Sequence, residues 1–180
     1  CINEINTVYT ETSAAHGDLY FAGLAVSNGG MITDCINRGN MDITIISDEN
    51  RVFNLGGIAG ANRYGSSCGD FVRCANEGNI SVVKKASGEG VQCLVNCAIA
   101  GVCGIVHQGE PGTEYEGSYS SFVSCSNSGA IKFWDEKSGT ATNNQLAAGI
   151  GGIIGLSTIF SSNCPYVGAN DTGYYFFLNN

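Results

Sequence analysis

The chain of 180 residues carries nine cysteines, and three of them, Cys35, Cys74 and Cys125, head the same pattern, Cys-x-Asn-x-Gly. Thiols set out at intervals could bridge, bind a metal or act as nucleophiles, and each chemistry needs particular neighbours. Cys93-x3-Cys97 has a loosely zinc-like spacing, but no second Cys/His pair stands at a matching distance, so neither metal nor cofactor is expected. His16 and His107 are the only histidines, and neither adjoins a plausible nucleophile. Cys103 lies four residues before His107, inside an apolar glycine-rich run, where it is expected to be buried. Cys68, Cys93 and Cys97 fall outside the repeated pattern and are expected in loops or insertions, where disulfides would staple long excursions. An odd cysteine count leaves at least one thiol unpaired within the chain. Among carboxylates, Glu110, Glu114, Glu116 and Asp135 are candidates for the two-carboxylate chemistry of a glycosidase, yet nothing in their spacing singles out a pair. Tyr115, Tyr119 and Trp134 could present stacking faces for a sugar beside Glu114 and Glu116. No catalytic constellation emerges, and the chain is not expected to be an enzyme.

What positions these residues is a repeat. One signature is a glycine flanked by a small residue and an aliphatic: Ala22-Gly23-Leu24-Ala25, Gly56-Gly57-Ile58-Ala59-Gly60, Ala100-Gly101-Val102-Cys103-Gly104 and Gly151-Gly152-Ile153-Ile154-Gly155. The other is Cys-x-Asn-x-Gly-x-aliphatic, complete at Cys35–Met41, Cys74–Ile80 and Cys125–Ile131. Cys1-Ile2-Asn3-Glu4 begins the same way but places Ile5 where glycine is expected, and Asn163-Cys164-Pro165 keeps only the cysteine. From signature cysteine to glycine pair the step is 22 residues twice (1 to 23, 35 to 57) and then 27 twice (74 to 101, 125 to 152). A constant core with variable connections is the mark of a solenoid whose insertions collect in outer loops.

Short β-branched runs such as Met41-Asp-Ile-Thr-Ile-Ile46 and Ile80-Ser-Val-Val83 read as strands, as does Phe21–Val26 taken whole. No stretch sustains a 3.6-residue apolar period, so the fold is expected to be all-β. The expectation is a β-solenoid, parallel and β-helix-like, of about four irregular repeats with loop insertions; a β-sandwich is the alternative. In parallel stacking, equivalent positions lie roughly 4.8 Å apart. Cys1, Cys35, Cys74 and Cys125 would then form an inward ladder, and Asn3, Asn37, Asn76 and Asn127 an amide ladder bonded rung to rung. The glycine after each asparagine suits a positive φ or a close backbone approach.

Residues 1–165 form the repeat region. Within it, Lys84 to Gly90 reads as a turn, 93–106 as one buried strand, and 107–121 as the largest polar excursion. Residues 166–180, ending Tyr174-Tyr-Phe-Phe-Leu178, break the pattern as an aromatic strand that caps the stack or pairs with another subunit. Because Cys1 already stands on a repeat position, the chain reads as a piece of something longer.

Composition bounds function. Gly is abundant at 26 residues against 2 Pro, and the net charge is −8 with only 8 Lys+Arg, which argues against a nucleic-acid or anionic-membrane surface. No run of eighteen apolar residues offers a membrane span. Asn79-Ile80-Ser81 and Asn170-Asp171-Thr172 match the N-glycosylation acceptor pattern, which has meaning only in a eukaryotic secretory setting.

The Gly-aliphatic-x-Gly element, as in Gly57-Ile58-Ala59-Gly60, resembles the GLUG motif of bacterial cell-surface proteins, including regions attached to IgA-cleaving metallopeptidases. Its alternation with Cys-x-Asn-x-Gly is similar to repeat arrays in secreted and surface proteins of gut bacteria. The resemblance covers roughly residues 1–165, and the chain departs from it in its large insertions and high cysteine content. No His-Glu-x-x-His is present, so the resemblance implies no catalysis. What it implies is a secreted or cell-surface location. The repeat and the anionic polar surface together point to a structural protein, a filament subunit or adhesin stalk that self-associates end to end. A carbohydrate-binding module contacting glycans and a glycan-active enzyme are the competing expectations.

Overall fold

The computed structural model describes residues 1–12, 19–46, 52–62, 68–85, 88, 96–108, 120–135 and 148–159. Those residues are all-β, without a helix, and the chain passes through five sheets in one fixed order. The first passage is β1 (Ile2–Asn3), β2 (Thr7–Glu11), β3 (Leu19–Ala22), β4 (Ala25–Ser27) and β5 (Met31–Thr33). The second is β6 (Ile36–Asn37), β7 (Met41–Ile46), β8 (Val52–Gly56), β9 (Ala59–Asn62) and β10 (Asp70–Val72). The third is β11 (Ala75–Asn76), β12 (Ile80–Lys85), β13 (Asn96–Ala100), β14 (Cys103–Gln108) and β15 (Phe122–Val123). Then follow β16 (Ser126–Asn127), β17 (Ile131–Asp135), β18 (Ala148–Gly151) and β19 (Ile154–Ile159).

Each strand pairs with its equivalent in the neighbouring passage, and every pairing is parallel. The sheets are therefore β1-β6-β11-β16, β2-β7-β12-β17, β3-β8-β13-β18, β4-β9-β14-β19 and β5-β10-β15. This is the connectivity of stacked parallel sheets, not of an antiparallel sandwich.

The period-two pattern of the sequence decides which side chains turn inward. In β7, Met41, Ile43 and Ile45 are buried while Asp42 is exposed. With Phe53, Leu55, Ile80, Val82, Cys97 and Ile99 they form one core. A second core gathers Cys35, Cys74, Ile58, Ala59, Val102, Cys103, Val106 and Phe71, and the Phe71 and Phe122 rings stack with centroids 4.9 Å apart.

The glycine signature is not strand interior, as the reading of Phe21–Val26 and of 93–106 had it. It is a two-residue corner between consecutive sheets, Gly57-Ile58 joining β8 to β9 and Gly101-Val102 joining β13 to β14. Glycine lets the chain turn hard against its neighbours, and the aliphatic at the corner, Ile58 or Val102, is fully buried. Lys84, read as part of a turn, lies inside β12 and is 1% exposed. Its register partners are Ile45 and Asp135, which places an acidic position beside it on β17.

The glycine after each ladder asparagine has no left-handed backbone; it is required by close approach. A Cβ on Gly39 would strike the carbonyl oxygen of Ile5, one on Gly78 that of Gly39, and one on Gly129 that of Gly78. Left-handed backbone falls one residue before each signature cysteine instead, at Asp34, Arg73 and Ser124, all with φ of 53°. Such a conformation is strained for a residue with a Cβ and costs on the order of 1 kcal/mol. Ser124 is exposed, so Ser124→Gly is expected to stabilise the fold by about 0.5–1 kcal/mol once the greater freedom of unfolded glycine is set against the relieved strain. A rise in the urea midpoint checks this; a fall would show that the serine side chain matters more than its backbone.

Candidate functional site: the ladders and the outer sheet face

Asn37 and Asn76 are both wholly buried, and the sheet β1-β6-β11-β16 holds their amides one above another. Asn3 Nδ2 donates to Asn37 Oδ1 (2.7 Å), Asn37 Nδ2 to Asn76 Oδ1 (2.8 Å), and Asn76 Nδ2 to Asn127 Oδ1 (2.7 Å). The second proton on each Nδ2 goes to the carbonyl of the signature glycine: Asn37 to Gly39, Asn76 to Gly78, Asn127 to Gly129. The two sequence signatures meet here. A Cβ on Gly23, Gly57 or Gly101 would collide with the side chain of Asn37, Asn76 or Asn127 respectively, so the corner glycines are the floor on which the amides lie.

The cysteines beside this ladder make no disulfides among themselves: Cys1, Cys35, Cys74, Cys103 and Cys125 are all thiols. Cys35 donates to the Thr33 carbonyl (3.2 Å), Cys74 to that of Ile32 (3.3 Å) and Cys125 to that of Phe71 (3.5 Å). Burial pushes the thiols of Cys74, Cys103 and Cys125 upward, Cys103 most strongly, so they stay protonated near neutrality. A protonated, hydrogen-bonded thiol is a poor nucleophile and a poor ligand. Cys97 is not on a loop: it is buried in β13, in register with Phe53 and Ala148. Cys68, between β9 and β10, is half-buried, and Cys93 lies outside the described residues.

Three further columns escaped the sequence reading. Asn28 and Asn62, buried five residues after Gly23 and Gly57, form a second amide contact, Asn28 Nδ2 to Asn62 Oδ1 at 3.0 Å. Asn6, Asn40 and Asn79 each accept a backbone N–H from the next passage, from Asn40, Asn79 and Ala130 in turn. Outside, Arg38 bridges Glu77 (2.8 Å) and Glu4 (3.4 Å), an exposed column of alternating charge. The recurrence of Asn at the sixth signature position and five residues after the glycine was the available signal.

Arg73 grips Asp34 with two bonds, Nε to Oδ1 at 2.6 Å and a terminal nitrogen to Oδ2 at 2.7 Å. The hydrogen bond from Arg73 holds the Asp34 carboxyl at about 2, below its ordinary 3.8, with help from Thr33. A depressed folded pKa means the stabilisation is present above the ordinary value and is lost as pH falls through about 2. A carboxyl-detected NMR titration should place the Asp34 midpoint near 2, and Arg73→Gln should return it to the ordinary range. An unshifted midpoint in the wild type would remove the pairing.

Of the residues proposed to bind glycan, only Trp134 lies within the described region; Glu114, Tyr115, Glu116 and Tyr119 lie outside it, as do Glu110 and His16. Trp134 is 66% exposed on the outward side of β17, in register with Val83, whose own partner is Thr44. Asn79 is exposed with its Oδ1 engaged by the Ala130 amide, while Asn170 lies outside the described residues. Among the described residues no group of three or more His, Cys, Asp or Glu is placed to hold a metal, and no helix is long and apolar enough to cross a membrane. No family model, curated protein or solved structure matches the chain.

Proposed function

We propose that the chain is a β-solenoid of about four irregular repeats, secreted or displayed at a cell surface, where it serves as a structural spacer of the adhesin-stalk kind. The observation that carries the reading is the buried amide ladder, which runs in register through Asn3, Asn37, Asn76 and Asn127 and ties each passage to the next. A column of this kind stiffens a stack along its length and presents no reactive group to solvent. The thiols of Cys74, Cys103 and Cys125, held protonated by burial and bonded to carbonyls, point the same way. Two measurements test the proposal. Small-angle scattering should give a rod one solenoid wide, and a membrane-impermeant biotin reagent should label the protein on intact source cells. Labelling only after lysis would discard the surface assignment.

One observation favours a second reading, a carbohydrate-binding module: the outward, well-exposed Trp134 on a sheet face. It is the only tryptophan of the chain, so its fluorescence reports directly on any glycan laid against it. A saturable spectral shift with oligosaccharide, abolished in Trp134→Ala, would move the assignment to binding. A flat titration across a glycan panel removes it.

A further inference from the structure

Where the signature cysteines stack, thiol lies over thiol. Val72 and Ala75 are in register with Val123 and Ser126, so Cys74 stands directly opposite Cys125, and the Ser126 N–H bonds the Cys74 carbonyl at 3.0 Å. In-register positions of parallel neighbours lie roughly 4.8 Å apart, inside the Cα separation of about 4.4–6.8 Å that a disulfide spans. No such partner faces Cys103, whose register neighbours are Ala59 and Ile154, or Cys97, which lies between Phe53 and Ala148.

The side chains agree with the backbone. Cys125 Sγ reaches back toward the rung before it, to the Phe71 carbonyl at 3.5 Å, and the Cys74 thiol stands within hydrogen-bonding distance of the Cys125 sulfur. Cys35 is held apart from this pair, its thiol bonded to the Thr33 carbonyl of its own passage at 3.2 Å. With the Cα atoms at bridging distance, closing a bond between Cys74 and Cys125 asks for side-chain rotation and not for movement of the strands. Cys74 is wholly buried, and the product suits that place. A disulfide is as neutral as the two thiols it replaces, whereas a soft metal ion held by the same sulfurs as thiolates would bring charge into the core.

We infer that Cys74 and Cys125 are a disulfide-forming pair, joined as the chain folds in the presence of a small-molecule disulfide such as oxidised glutathione. One cysteine, as thiolate, attacks a sulfur of the glutathione disulfide and releases one glutathione; the other then attacks the protein sulfur of the mixed disulfide and releases the second. Two protons and two electrons pass from the cysteine pair to the glutathione, which leaves as two thiols. The timing matters, because in the finished fold Cys74 is out of reach of solvent and the buried thiols stay protonated. The bond ties β11 to β16 across 51 residues, the longest interval between successive complete signature cysteines. The inference rests on the parallel register and not on the stalk assignment.

The reduced protein, unfolded in urea, would be diluted into a mixture of oxidised and reduced glutathione, and a matched sample into reduced glutathione alone. Remaining thiols are alkylated at low pH and linked peptides are mapped by mass spectrometry. The expected result is a Cys74–Cys125 peptide as the main link between signature cysteines, with Cys103 recovered as a thiol. The same oxidant added to protein that is already folded should give that link far more slowly. The linked protein should unfold at a higher urea concentration than the reduced one, since the bond restricts the unfolded chain. Cys125→Ala should lose both the link and the rise, while Cys35→Ala keeps both, and circular dichroism establishes that each variant is folded. Should dilution yield no folded protein, the oxidant is added to folded, reduced protein in urea just below its midpoint, and the same peptides decide. Recovery of Cys74 and Cys125 as thiols in folded, oxidant-treated protein overturns the inference. So does a main link from Cys74 to Cys35 or to any other cysteine, or a raised midpoint that survives in Cys125→Ala. Failure of cell-surface labelling would discard the stalk reading and leave this result untouched.

Discussion

Asn76→Ala is expected to destabilise the protein by about 3–5 kcal/mol, read as a fall in the urea midpoint at unchanged slope. The side chain is wholly buried and holds three partners: it accepts from Asn37 Nδ2 and donates to Asn127 Oδ1 and the Gly78 carbonyl. Alanine leaves all three short of a bond in a space sheltered from water, and each such group costs about 1–3 kcal/mol. For a domain with about 5–15 kcal/mol of total stability, that is a large share. Asn76→Asp should fare no better: it keeps an acceptor for Asn37 but loses both donations and buries a charge. Asn3→Ala, part-buried at the end of the column with one bond to the next rung, should cost about 1 kcal/mol. Equal, small losses at positions 3 and 76 would mean the amides are spectators, and the ladder would lose its place as the element that ties the passages together.

Gly57→Ala is expected to cost 3 kcal/mol or more, or to prevent folding, at the upper end of what overpacking does. The added methyl would meet the Gly101 carbonyl on one side and the Asn76 amide on the other, and neither can retreat without opening the ladder. Gly152 is the sharp control. It holds the same position in the last glycine signature, yet among the described residues a Cβ there meets nothing within 4 Å. Gly152→Ala should therefore be within about 0.5 kcal/mol of wild type. Similar penalties at both sites would show that the corner itself demands glycine, and would detach the glycine signature from the asparagine signature.

The legible part of the fold was what repeats. The inward alternation of Met41, Ile43 and Ile45, the absence of a helical period, and the recurrence of Asn3, Asn37, Asn76 and Asn127 at one place in a pattern were all on the face of the sequence. Strand direction followed, because identical residues at equivalent positions pair most simply in parallel register. The corners were harder. Phe21–Val26 reads as one apolar run, and the turn inside it depends on how closely the next passage's carbonyl approaches Gly23, a distance that no local propensity encodes. Lys84 was misplaced because lysine is a surface residue in most contexts, and its place inside β12 follows from the register with Ile45, which no local signal carries. The left-handed residues before each cysteine were invisible since Asp34, Arg73 and Ser124 share no chemistry that favours that backbone. For the candidate site, Cys97 shows the limit: spacing alone placed it with the loop thiols, and only the register with Phe53 put it in the core.

That every strand pairs with one from a different passage also governs how the chain reaches this state. Among the described strands none pairs with its immediate successor in sequence, so no hairpin can form early and hold the rest. The first ladder bond to close joins residues at least 34 apart, the interval from Asn3 to Asn37, while the later ones span 39 and 51. Loop closure over 51 residues costs only about 0.4 kcal/mol more than over 34. The expense is common to all rungs and must be met before any contact rewards it, which is the circumstance that slows folding. Assembly from the amino-terminal passages, where the intervals are shortest, is then the cheapest order in which the stack can be built.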